Sequence, residues 1–196
     1  MWVVKIGGSL SRDPLLKRWL SELCDFGGGR VLIVPGGGGF ADQVREHQAV
    51  WEFDDVAAHN MAVLAMAQHA LLMQGVCRNL VIAATDAQIL RAMHDGRVVV
   101  WAPLDMMRQE ASMLTSWDVT SDSLAAWLAN RLNAERLLIV KSCVIERSHD
   151  IARHSADGLL DRRFAELTRD APYPVDLLSK NEWPRMRDLL LHAAVP

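Results

Sequence analysis

Two short apolar runs in this chain each end in a cluster of glycines. Trp2-Val3-Val4-Lys5-Ile6 leads into Gly7-Gly8-Ser9, and Val31-Leu32-Ile33-Val34 leads through Pro35 into Gly36-Gly37-Gly38-Gly39. A helix-compatible segment follows each cluster. Glycine lets backbone amides approach a ligand closely and adopt positive φ, and a helix start directs unpaired N–H groups at an anion. The pattern predicts two strand–turn–helix units whose turns lie at the same edge of one sheet. Such turns can hold two phosphate groups facing each other, which suits phosphoryl transfer between two bound molecules. Four successive glycines exceed what a turn requires, so residues 36–39 are expected to approach a ligand. The run is not a dinucleotide fingerprint, because no acidic residue ends a second strand about 20 residues later. No Gly-Lys-Ser/Thr follows, which excludes a P-loop.

The remaining chain repeats the alternation. Apolar runs predict strands over 2–6, 30–34, 79–83, 97–101, 136–141 and 173–178. Periodicity predicts helices over 13–24, 40–49, 55–74, 86–93, 121–133, 161–168 and 183–192. Strands this uniformly apolar belong to a sheet covered on both faces, so the fold class is α/β with a mainly parallel open sheet between helical layers. At 196 residues the chain is expected to form a single domain. The polar stretch from Arg147 to Gly158 reads as a mobile loop.

Bulk properties narrow the partners. A formal charge of −3 provides no general attraction for nucleic acid or an anionic membrane. No uninterrupted apolar run approaches the roughly 20 residues of a membrane span. The chain enters a strand at once, leaving no room for a secretory signal, so a cytoplasmic location is expected. Cys24, Cys77 and Cys143 form no CxxC or zinc spacing and read as reduced core thiols. His47, His69 and His94 share no i, i+4 ligand pattern, so no direct metal site is read.

Single residues leave alternatives open. Lys5 either points to solvent from an edge strand or supplies a point charge to a phosphate. Lys141, after Leu137-Leu138-Ile139-Val140, is either a solvated strand terminus or a phosphate contact. Within Trp117-Asp118-Val119-Thr120-Ser121-Asp122, Thr120 or Ser121 is a plausible N-cap. Read alone, Asp122 is best explained as a first-turn helix carboxylate; its other role would be to orient lysines or metal-bound water. His59, on a partly apolar helix face, reads first as a core or rim residue.

Taken in order, Lys5-Ile-Gly-Gly-Ser9, Pro35-Gly-Gly-Gly-Gly39 and Thr120-Ser-Asp122 before an alanine-rich helix resemble the amino acid kinase family. A closer resemblance lies in Gly39-Phe-Ala-Asp42-Gln-Val-Arg45, Ala58-His59-Asn-Met61-Ala and Trp117-Asp-Val-Thr-Ser-Asp122-Ser-Leu-Ala-Ala-Trp127. These are similar to the branch that phosphorylates an aminomethylfuran phosphate in methanofuran biosynthesis, a part of one-carbon metabolism. The resemblance implies an αβα sandwich, with an acceptor half over about 1–115 and a nucleotide half over about 116–196. It implies an ATP-dependent kinase using Mg2+, a small-molecule phosphate acceptor, and a homodimer or higher homo-oligomer. Lys5, Asp122 and Lys141 would be catalytic. Gly7, Gly8, Ser9, Thr120, Ser121, Lys141 and Ser142 would contact ATP. Gly36, Gly37, Gly38, Gly39, Asp42, Arg45 and His59 would face the acceptor. Uridylate kinase, isopentenyl phosphate kinase and a non-catalytic nucleotide-binding or complex-forming protein are the alternatives, an isoprenoid tunnel near Trp51, Met61 and Met66 being one discriminating feature. Two family elements are missing. Lys141-Ser142-Cys143-Val144-Ile145 stands where relatives carry Thr-Asp-Val-Asp-Gly-Val-Tyr, and no Gly-Gly-Met-x-x-Lys follows. Lys141 is the expected replacement for the second phosphate lysine, Lys180 a poorer one.

Overall fold

The first two strands are buried along their whole length because they are covered from both sides, and Lys5 is the one charged residue in them. In the computed structural model, which describes residues 1–109 and 118–192, β1 (Trp2–Ile6) is central. A 3-10 turn over Gly8–Arg12 leads to α1 (Leu15–Phe26), β2 (Val31–Pro35), α2 (Gly38–Trp51) and α3 (Asp55–Val76). Then come β3 (Val81–Ala83), α4 (Asp86–His94), β4 (Val99–Trp101), α5 (Leu104–Gln109) and α6 (Ser121–Arg131). The last third holds β5 (Arg136–Lys141), α7 (Ile151–Ala156), α8 (Phe164–Thr168), β6 (Val175–Ser179) and α9 (Trp183–His192).

The sheet order is β3-β4-β2-β1-β5-β6, and every adjacent pair is parallel. Side chains alternate between the faces of a strand. Val3 therefore joins Leu32, Leu137, Ile139 and the inner sides of α5 and α6, while Val4 and Ile6 join Trp19, Leu20 and Met186 under α1 and α9. These two apolar layers confirm the three-layer sandwich. Buried Glu22 ties the outer helices together, accepting from Arg187 at 2.7 and 2.6 Å and pairing with Arg18 at 2.8 Å.

All the expected strands form, within two residues of their predicted starts. Several other expectations need correction. The stretch 147–158 contains α7, capped by the Asp150 carboxylate on the Arg153 amide and anchored by buried His154. The helix expected from residue 161 begins only at Phe164, because Asp161 is committed elsewhere. α5 carried no sequence signal. Segment 55–76 is one helix long and apolar enough to cross a membrane by length and composition. Here it packs on α2, α5 and the sheet, with Ala58, Val63, Met66, Ala70 and Met73 buried. The cysteines are not scattered core thiols. Cys24 and Cys77 meet at 3.3 Å, where burial pushes the Cys24 thiol up to about 12, and Cys143 is exposed.

The glycine turns are required by each other as much as by any ligand. A Cβ on Gly8 would stand 2.1 Å from the Gly38 nitrogen, and one on Gly36 would stand 2.3 Å from the Gly8 nitrogen. Gly38 also has φ +58°. The two turns thus interlock at the C-terminal ends of β1 and β2. Gly36→Ala is expected to cost about 1–3 kcal/mol by overpacking two backbones. Gly75→Ala, inside α3 with nothing within 4 Å of the new Cβ, should stabilise by about 0.5–1 kcal/mol. Urea unfolding of both variants checks the opposite signs.

Candidate active site

Strand order puts the site beside β1, where the chain's connections turn from β2 on one side to β5 on the other. In open parallel sheets that switch point, outside the carboxyl ends of the strands, is where ligands bind. Lys5 lies one residue before the end of β1 and shares the face of Val3, so it points at α6. Lys141 ends β5, two residues beyond Ile139, the register partner of Lys5, and therefore shares that face. Asp122, in the first turn of α6, lies between them. Lys5 Nζ is 2.6 Å from its Oδ1, and Lys141 Nζ donates to its Oδ2 at 2.5 Å.

This settles three open readings. Lys5 is not on an edge strand; it is central and only 4% exposed. Lys141 is not a solvated terminus. Asp122 lies in the first turn of α6 as read, but its carboxylate, 3% exposed, is taken by the two lysines. Burial alone would raise the Asp122 carboxyl, but the two ammonium groups outweigh that and hold it below the usual carboxylate range. Burial and the nearby Lys5 charge push Lys141 down, against the opposing pull of Asp122 and Asp161. Lys180, the poorer replacement candidate, is spoken for by Asp13 at 2.6 Å.

Asp161 is the residue that sequence reasoning missed. It accepts from the Thr120 amide at 2.9 Å and hydroxyl at 2.8 Å, the Ser123 amide at 2.9 Å, the Ser123 hydroxyl, and the Phe164 amide at 3.0 Å. Thr120 holds the N-cap position of α6, as expected, but its side chain makes no capping bond; the Asp161 carboxylate, 38 residues downstream of Ser123, accepts from the first turn instead. A second unforeseen residue is His69. It is fully buried, and its Nδ1–H donates to the Gly36 carbonyl at 2.5 Å. Burial lowers its pKa, so the ring pins the second glycine turn as a neutral imidazole. Neither role leaves a local motif, since the partners lie more than 30 residues away.

Two cavities meet at Thr120. One, of about 260 Å³, is lined by Gly8, Ser9, Gly37, Gly38, Asp42, Arg45 and His59, with Val63, Met66 and Leu124 as apolar walls and Ser121 beside Thr120. The other, of about 590 Å³, is lined by Asp118, Thr120, Asp122, Lys141, Gly158 and Asp161. Lys5, Gly7, Gly36, Gly39 and Ser142 line neither. Gly7 packs on the Val140 carbonyl, Gly36 on Gly8, and Gly39 under the Arg12 guanidinium. The Ser9 hydroxyl donates to that of Ser142 at 2.9 Å, joining the first glycine turn to the end of β5. Met66 faces the smaller cavity, Met61 lies in an outer groove, and Trp51 is 74% exposed, so they form no common tunnel. Trp117 lies outside the described residues.

A sheet of this order, two glycine turns and a buried lysine–aspartate–lysine cluster at its switch point define a family, and the comparisons agree. Residues 1–143 match the amino acid kinase family, and the chain belongs to it. It is 29% identical over 143 residues to the [5-(aminomethyl)furan-3-yl]methyl phosphate kinase of Methanocaldococcus jannaschii, a match covering 71% of this chain and 64% of that protein. The chain thus spans less than two thirds of that relative. Among solved structures, the uridylate kinase of Archaeoglobus fulgidus superposes with a TM-score of 0.72 at 12% identity, covering 97% of this chain and 95% of that one. The UMP kinase of Bacillus anthracis gives 0.67 at 19%, covering 97% and 91%. These likenesses establish the shared fold.

Two stability predictions follow from the cluster. The depressed carboxyl of Asp122 contributes stability that is complete above its ordinary value of 3.8 and lost as pH falls through its folded value. Asp122→Asn should therefore cost about 3–5 kcal/mol at neutral pH, and urea titrations at pH 7 and 3 should show the gap narrowing in acid. Asp161→Ala and Ser123→Ala should couple by about 1 kcal/mol or more in a double-mutant cycle; additive effects would mean the cap is dispensable.

Proposed function

We propose that the chain is an ATP-dependent kinase that transfers the γ-phosphoryl group to a phosphate-bearing acceptor, an aminomethylfuran phosphate. The observation that carries this reading is the pair of ammonium groups held at the switch point of the sheet. Lys5 and Lys141 share the Asp122 carboxylate, which fixes two cationic donors in place, and a phosphoryl group in transit is an anion that such donors stabilise.

In this reading the acceptor phosphate lies against Gly8, Gly37 and Gly38, and the nucleotide lies on the Lys141 and Gly158 side. An acceptor phosphate oxygen, already ionised at neutral pH, attacks the γ-phosphorus. The bond to the β–γ bridging oxygen breaks and ADP leaves with that electron pair. No general base is needed, so catalysis consists of alignment and charge neutralisation. Lys5 neutralises the transferring group, Lys141 replaces the lysine missing with the Gly-Gly-Met-x-x-Lys element, and Asp122 fixes both. Magnesium would arrive on the ATP phosphates, keeping several waters, and Asp122 would be the residue to order that shell. The aminomethylfuran acceptor is favoured by the Methanocaldococcus relative and by the short apolar middle of the smaller cavity. The outer faces of α2 and α3 expose Phe40, Leu64 and Trp51, and we assign them to a homodimer contact.

The test is ADP release from Mg-ATP with the aminomethylfuran phosphate, UMP and isopentenyl phosphate as separate acceptors. Turnover that depends on the first is expected. Turnover with UMP or isopentenyl phosphate instead would reassign the acceptor. Binding of nucleotide without ADP release from any would convert the protein to a non-catalytic binder. Lys5→Ala should lower kcat by about 10²–10³-fold, the scale of a lost electrostatic stabiliser, while its circular dichroism remains that of the parent.

A further inference from the structure

The smaller cavity has unlike ends. Its inner end is lined by Gly8, Gly37 and Gly38, bare backbone at the start of α2 that suits an anion. Its mouth carries Asp42, Arg45 and Asp55. Arg45 neutralises Asp42 at 3.0 Å. Asp55 accepts from the neutral Gln48 amide at 3.0 Å and has no cationic partner among the described residues. Nor does Asp55 cap α3, a task that Asp54 performs by accepting from the Ala57 amide. The mouth therefore retains a negative charge.

One face of α3 forms a wall between these ends. Asp55 and His59 are one turn apart, and Val63 and Met66 continue the same stripe inward. Ala65 touches the space beside Gly37, 3.8 Å from where a Cβ would stand. At about 1.5 Å per residue, Asp55 lies roughly 15 Å along the helix from that point. His59 lies between them. It is 8% exposed, lines the cavity and has no hydrogen-bond partner among the described residues. Burial lowers its pKa, so it offers a neutral imidazole that lacks a protein partner. Such a group in a cavity wall is available to a polar ligand atom.

We propose that Asp55 and His59 form an amine-recognition end of this cavity, selecting acceptors that carry a primary ammonium opposite their phosphate across a small apolar ring. The inference rests on the phosphate-acceptor reading above and adds the group that decides specificity. Asp55 takes the ammonium through a charge-assisted contact, and His59 takes the ring heteroatom or a second ammonium hydrogen. A neutral or anionic group at that position leaves Asp55 unpaired and gains nothing from it.

The experiment compares [5-(aminomethyl)furan-3-yl]methyl phosphate with its hydroxymethyl counterpart, which keeps the ring and phosphate but removes the charge. Binding by calorimetry and acceptor-dependent ADP release are both measured on the full chain. The parent should prefer the amine about five- to tenfold, the worth of one solvent-accessible charge-assisted contact. Asp55→Asn should bring that ratio close to one, and Asp55→Glu should restore part of it. An unchanged ratio in Asp55→Asn, or no preference in the parent, overturns the proposal. Amine-selective binding without ADP release would sustain the recognition end and sink the kinase reading instead.

Discussion

The buried Lys5–Asp122–Lys141 cluster is the interaction on which the site depends. A lysine ammonium inside a parallel sheet is costly unless paired. One carboxylate stabilises two of them only if it is itself held between the ends of β1 and β5. Asp122 meets that condition because α6 packs across β1 and because its first turn is clamped by Asp161. The cluster is thus an assembly of four segments, two strands, a helix and a distant loop.

The glycine turns share a similar double purpose. Their lack of side chains permits two backbones to interlock, and the same bareness leaves amides open to the cavity. His69 fixes the second turn from behind, through a hydrogen bond to Gly36 rather than through any ligand. At Gly8, stability and the cavity wall draw on the same atoms. Gly36 serves the interlock alone, and Gly75 lies in open space.

Beyond residue 143, where the family match ends, the chain still secures the cluster. Asp161, in the turn before α8, replaces a local helix cap. The C-terminal third thus secures α6 and, through it, both lysines.

Local pattern alone determined the alternation of strands and helices, the parallel sheet and the position of both glycine turns. Apolar periodicity and glycine's freedom are properties of neighbouring residues, so they are visible along the chain. Lys5, Asp122 and Lys141 could be named individually, but their chemistry remained ambiguous: a strand lysine and a first-turn aspartate each have an ordinary local explanation. Only the tertiary structure placed β1 between β2 and β5, buried Lys5 and made the first-turn carboxylate of Asp122 a bridge between two lysines. Asp161, His69 and the Cys24–Cys77 contact were beyond reach for the same reason. A hydrogen bond between residues dozens of positions apart has no periodicity, and the fold alone decides which of many polar side chains meet.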